Sequence, residues 1–181
     1  MSTIVVPNDI AYRLISTGPV VMVSTLSKSG VPNVMTNAWN CPLDSNPTKI
    51  LLVISSGTQT RLNIDETGEF IVNVSCIAQK NLMLKVGSCH GKEHDKFNEF
   101  SISHTSGTKV SVPRINGCIA WLECRLIKEP VIAQKYDIIM GEVIYAEALS
   151  EAFDGKQLKV SNSSYSTVHH LSAGEFAVFG K

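Results

Sequence analysis

Charge is scarce in this chain, and so are the means of cross-linking it. Only 18% of the 181 residues are Asp, Glu, Lys or Arg, and 16 basic residues balance 16 acidic ones. A net charge of zero removes the general attraction on which non-specific binding to polyanions depends, so nucleic acid is not an expected partner; one phosphate in a local basic pocket stays compatible. The five cysteines, Cys41, Cys76, Cys89, Cys118 and Cys124, are odd in number and contain no CxxC pair. That pattern disfavours a disulfide framework and fits reduced thiols in a cytoplasmic protein. No apolar run approaches the ~18 residues of a spanning helix, since even Lys49-Ile-Leu-Leu-Val-Ile-Ser55 is soon interrupted, and no membrane association is expected. Met1 to Ile10, with Pro7, Asn8 and Asp9, lacks the basic and apolar regions of a signal peptide. No G-x-G-x-x-G occurs, which excludes a Rossmann dinucleotide domain. The length fits one domain spanning 1–181, enough to bury about 70% of its unfolded surface without a metal or disulfide.

What is present is a series of short Val-, Ile- and Leu-rich segments between turn residues, the pattern of a mainly β domain with a few short helices. Pro19 to Thr25 and Val31 to Thr36 flank Ser27-Lys-Ser-Gly30 and predict a hairpin. Ile50 to Ile54 is apolar on successive positions and predicts a strand covered on both faces. Thr58 to Gly68 reads as a helix with a threonine cap and a left-handed glycine stop, followed by a strand at Phe70 to Val74. Ala78 to Val86 is a second helix. In Ile119 to Ile127, Ala120, Leu122, Cys124 and Leu126 share one face, so Glu123 and Arg125 are expected on an open face. Ile138 to Leu149 predicts a long strand bent at Gly141, and Ser101 to Gly107 an exposed loop.

Three arrangements compete for chemistry. Gly87-Ser-Cys-His-Gly91 has the small-residue frame of a nucleophile elbow, which would make Cys89 the nucleophile of a hydrolase served by Asp137 and His169 or His170. An elbow needs a strand before the turn, whereas this segment follows a predicted helix, and a Gly-rich loop with a buried thiol is the plainer reading. Cys89, His90 and His94 offer metal-ligand types, but Gly91 weakens the helix that would align them and no fourth ligand is evident; no metal is expected. The third is Gly30 to Asn40, followed by Pro42 and Asn46-Pro47. It gathers amides, backbone N–H groups and Trp39 where a strand ends, which suits either a planar polar ring or an ordinary polar turn.

Taken in order, several of these pieces resemble the flavin reductase-like FMN-binding proteins, and among them the flavoredoxin branch. The resemblance is carried by Gly18-Pro-Val-Val21, Asn33-Val-Met-Thr-Asn-Ala-Trp39, Asn46-Pro47, Thr60-Arg-Leu-Asn-Ile64, Gly68 to Val74, Asp95-Lys-Phe97, Pro113-Arg-Ile115, Leu122-Glu-Cys124 and Met140-Gly-Glu-Val143. It implies an FMN-binding split β-barrel that forms a homodimer and passes electrons from NADH or NADPH through FMN to a protein, metal or flavin acceptor. An electron carrier without nicotinamide turnover is the alternative within the family. The same resemblance assigns Asn33, Met35, Thr36, Asn37, Ala38, Trp39 and Asn40 to the flavin ring and Thr60 to the phosphate, with Thr58 and Ser56 beside it. Lys96 or Lys92 would supply a cation, Phe97 an apolar contact, and Tyr165 an aromatic near the ring. No catalytic acid, base or nucleophile is implied. Asn46-Pro47-Thr48 and Ala38 depart from the usual pattern of two prolines and a serine.

Overall fold

The Ser27–Gly30 turn, with Gly30 at φ 83°, places Val21 opposite Asn37 and Leu26 opposite Pro32. This is the first hairpin of a computed structural model that describes residues 2–15, 18–159, 163–172 and 174–178. In chain order the strands begin with β1 (Thr3–Val6), β2 (Val21–Leu26), β3 (Pro32–Asn37), β4 (Asn40–Ser45), β5 (Thr48–Val53) and β6 (Glu69–Val74). They continue with β7 (His104–Ser106), β8 (Pro113–Ile115), β9 (Ala120–Ile127), β10 (Ile138–Leu149), β11 (Val168–Ser172) and β12 (Glu175–Val178). The helices are α1 (Gln59–Thr67), α2 (Lys80–Gly87), α3 (Lys96–Glu99) and α4 (Pro130–Tyr136).

The main sheet is antiparallel and runs β3-β2-β6-β9-β10-β5-β4, with β1 also paired to β10. Its two ends, β3 and β4, are consecutive in sequence and separated only by Ala38 and Trp39. A sheet whose ends are so tethered must curl back on itself. The seam is held by the Val53 N–H donating to the Trp39 carbonyl at 2.9 Å and Asn37 Nδ2 donating to the Val53 carbonyl at 2.9 Å. This is the split barrel. Its interior is filled by side chains with no exposed surface, among them Val23, Ile50, Leu52, Phe70 and Val72, each stabilising the fold by roughly 1.5–3 kcal/mol.

Helix α1 closes one side. Thr58 caps it by accepting from the Arg61 N–H, and Gly68 ends it at φ 72° with its N–H on the Ile64 carbonyl. Asn63 Nδ2 donates to Thr25 Oγ1 at 3.0 Å, which pins the helix to β2. Helix α2 lies against β3, where Thr36 Oγ1 donates to the Met83 carbonyl at 2.6 Å.

Four local expectations need correction. Strand β5 is buried at Thr48, Ile50 and Leu52 but only half-buried at Leu51 and Val53, because only the inward face meets the barrel interior. Glu123 is 0% exposed rather than on an open face. Its carboxylate accepts from the Thr108 N–H at 2.7 Å, the Lys109 N–H at 2.6 Å and the Val110 N–H at 3.1 Å, and it pairs with Arg114, whose guanidinium also pairs with Glu147. Ser101 to Gly107 contains β7, which pairs with β8. In β10 the register shifts between Val143 and Tyr145, and Gly141 is required for packing: a Cβ there would lie 2.4 Å from Phe70 Cζ.

Candidate functional site

Strand β3, the start of α1 and the segment after α2 enclose a cavity of about 340 Å³, within the range of small-molecule sites. Asn33, Met35 and Thr36 form one wall, Gly57 to Thr60 a second and Val86 to Glu93 a third, with Lys96 also in the lining. The first N–H groups of an α-helix have no partner within it, and its N-terminus carries partial positive charge. Helix α1 presents that end to the cavity.

Lys96 is 4% exposed, and its Nζ donates to the Val86 carbonyl at 2.9 Å. Among the described residues it has no carboxylate within ion-pair distance. Burial pushes its ammonium below the ordinary lysine value, opposed by the Cys89 thiol nearby. Asn33 is 5% exposed; its Nδ2 donates to Thr60 Oγ1 at 2.9 Å, while its buried Oδ1 has no hydrogen-bond partner among the described residues. A buried cation without an anion and an amide oxygen without a donor are both costly. A phosphate-bearing ligand in the cavity would supply the missing anion.

A second cavity of about 370 Å³ shares Thr36, Gly87 and Ser88 with the first. It is more apolar, bounded by Val20, Ala38, Met83, Leu84 and the contacting rings of His170 and Phe176, 5.2 Å apart. The pair makes a groove with a cationic end and an apolar end, complementary to the phosphate and ring of a flavin mononucleotide. The residues present fit that cofactor.

Of the residues expected to bind it, Asn33, Met35, Thr36, Thr58, Thr60, Lys92 and Lys96 line the first cavity, and Ala38 lines the second. The Thr58 hydroxyl is committed to the helix cap and donates to the Ser55 carbonyl. Asn37 and Asn40 tie the barrel seam, the latter donating to the Pro19 carbonyl at 3.0 Å. Trp39 points out, 70% exposed. Ser56 lines a different cavity, its N–H donating to Asp137 Oδ1 at 3.0 Å. Phe97 is buried edge-on to His104, and Tyr165 donates to Glu151 Oε2 at 2.6 Å outside both cavities. Gln59 and the segment from Gly87 to Gly91 also line the first cavity; the motif reading left Gln59 out and weighed that segment as an elbow or a metal cluster. The signal for that segment was its glycine pair after a helix.

The elbow reading of Cys89 fails on local geometry, because helix α2 and not a strand precedes it, and Asp137 faces Ser56 and Arg61. Among the described residues no three His, Cys, Asp or Glu side chains are placed to hold a metal ion. No helix among them is long and apolar enough to cross a membrane.

The flavin reductase like domain model matches residues 13–169, so the chain belongs to that family. Uncharacterized protein YddH of Escherichia coli is 33% identical over 173 residues, covering 94% of this chain and 92% of that protein. The solved structure of an FMN-binding domain of a flavin reductases-like enzyme from Shewanella baltica superposes with TM-score 0.94 at 33% identity, over 99% of this chain and 95% of that one. Flavoredoxin of Desulfovibrio vulgaris shares the fold, with TM-score 0.78 at 21% identity over 91% of this chain and 87% of its own.

Proposed function

We propose that this chain is an FMN-dependent oxidoreductase of flavin reductase or flavoredoxin type, formed by one domain and working as a cytoplasmic homodimer. The observation that carries the cofactor assignment is the buried Lys96 ammonium, which lines a ligand-sized cavity without a carboxylate partner among the described residues. Family membership and the FMN-binding relative from Shewanella baltica support it. Bound FMN would supply the redox chemistry, accepting electrons from NADH or NADPH and passing them to a protein, metal complex or free flavin.

The chain's own part is to bind and to orient. Lys96 and the N-terminus of α1 neutralise the phosphate. Asn33, fixed by its hydrogen bond to Thr60, holds the wall of the cavity in place. Met35, Thr36 and Ala38 set the floor of the apolar end, and His170 and Phe176 its rim. Low polarity there strengthens each electrostatic contact to the cofactor. Trp39 and Leu43, exposed on and beside the terminal strand β4, supply an apolar face for a second copy.

A visible absorption spectrum of the purified protein with added FMN, followed by anaerobic NADH and then NADPH, tests this reading. Bound flavin bleached by one nucleotide is expected. Bound flavin reduced by neither would make the chain an electron carrier with a protein donor, and no flavin binding would overturn the cofactor assignment.

A further inference from the structure

Three consecutive polar side chains open helix α1, and they are not equally engaged. Thr58 spends its hydroxyl on the Arg61 N–H and the Ser55 carbonyl, and Gln59 Nε2 donates to Asn63 Oδ1 at 2.7 Å. Thr60 differs. Its hydroxyl oxygen accepts from Asn33 Nδ2 at 2.9 Å, and both residues line the first cavity with Lys96. A threonine hydroxyl has one hydrogen to give and two lone pairs to receive with. Asn33 takes the receiving side, so the hydroxyl hydrogen has to point away from the amide, and no described residue accepts it. The amide itself is held at both ends. A Cβ on residue 91 would stand 2.1 Å from Asn33 Oδ1 and 2.9 Å from Asn33 Cγ, so only a glycine lets the segment after α2 pack on the amide oxygen while Thr60 holds its nitrogen.

Thr60 is 1% exposed, and a buried donor without an acceptor is costly. A hydrogen bond from a hydroxyl to an ionised oxygen is about twice as strong as one between neutral groups, so an anion beside Lys96 is the acceptor that this donor suits best. We propose that Asn33 is a positioning residue for the anion end of the site: by occupying the accepting side of the Thr60 hydroxyl, it turns that hydroxyl's hydrogen toward the phosphate of the bound flavin. The inference rests on the flavin reading above and gives Asn33 a role exerted through Thr60, in place of the ring contact that the family resemblance implies for it. It also differs from simple support of the cavity wall. A residue that only held the wall would serve the ring and the phosphate alike, whereas one acting through Thr60 serves the phosphate alone.

Riboflavin, which has the ring and ribityl chain of FMN but no phosphate, separates the two. Dissociation constants for FMN and riboflavin are measured by flavin fluorescence titration for the wild type, Thr60→Val, Thr60→Ser, Asn33→Ala and the Thr60→Val/Asn33→Ala double variant. Thr60→Val is expected to weaken FMN about tenfold and riboflavin less than about twofold, and Thr60→Ser, which keeps the hydroxyl, to restore FMN to within about threefold of the wild type. Asn33→Ala should weaken FMN at least about threefold with riboflavin again little changed, and should add almost nothing in the Thr60→Val background, because the two residues act through one hydrogen bond. Asn33→Leu, closer in volume, decides the matter where Asn33→Ala does not fold. Equal loss of both flavins, no loss of FMN, or effects that multiply in the double variant overturn the inference and leave the flavin reading intact. A wild type that binds riboflavin as tightly as FMN does the same. A wild type that binds neither overturns the flavin reading and the inference with it.

Discussion

Glu123 and Lys96 are both almost wholly buried, yet their surroundings answer them in opposite ways. Glu123 has three backbone N–H groups and a guanidinium around it, and Arg114 in turn reaches Glu147 and lies 5.2 Å over the Tyr145 ring. Among the described residues, Lys96 has the Val86 carbonyl and the cavity beside it. The first arrangement completes itself inside the chain and fixes the loop 107–112 to β9. The second is incomplete until something negative arrives. Burial costs a charge several kcal/mol unless it is compensated, so a buried charge left this way is a sign of ligand binding more than of folding.

The largest effect that would break the comparison is Glu123→Ala, which strands Arg114 and three N–H groups. It is expected to lower unfolding free energy by about 3–5 kcal/mol in urea titration. Burial raises the Glu123 carboxyl, but the Thr108 and Lys109 N–H groups and Arg114 more than reverse this and hold it below the usual carboxylate value. Its contribution is therefore full above the unfolded-state value near 4.5 and is lost as pH falls through the depressed folded value. Lys96→Met should do the reverse. FMN affinity is expected to drop at least about tenfold, or ~1.4 kcal/mol, with apoprotein stability unchanged or higher. Because the Lys96 value is depressed by folding, apoprotein stability should rise between that depressed value and the ordinary 10.5, and FMN affinity should weaken over the same window. The smallest effect sharpens the contrast at one helix end. Thr58→Ala removes a cap and should cost about 1 kcal/mol in thermal unfolding, with FMN affinity changing less than for Lys96→Met, because that hydroxyl is already spent on Arg61 and Ser55.

Local chemistry was the legible part of the sequence. The Ser27–Gly30 turn, the Thr58 cap and the Gly68 stop depend on residues a few positions apart, and each lies where turn and capping preferences place it. Glu123 was misread because alternation along β9 says which side it faces but not that a loop from residues 108–110 covers that side. The three-residue strand β7 was invisible for the same reason: its stability comes from β8, with His104 opposite Ile115. The family resemblance named Asn33 and Lys96, which the structure brings to one cavity. The need for a glycine at position 91 was not legible, since the atoms that require it belong to residues 33 and 59.

The pairing of β1 with β10 joins Thr3 to Leu149, 146 positions along the chain. At a synthesis rate of about 5–20 residues per second, the first strand waits about 7–29 s for its partner to leave the ribosome. The β2–β3 hairpin and α1, which carry Asn33 and Thr60, emerge long before that. The strand and helix that carry the cofactor site are thus synthesised early in the life of each nascent chain, and the strands that close the barrel follow them.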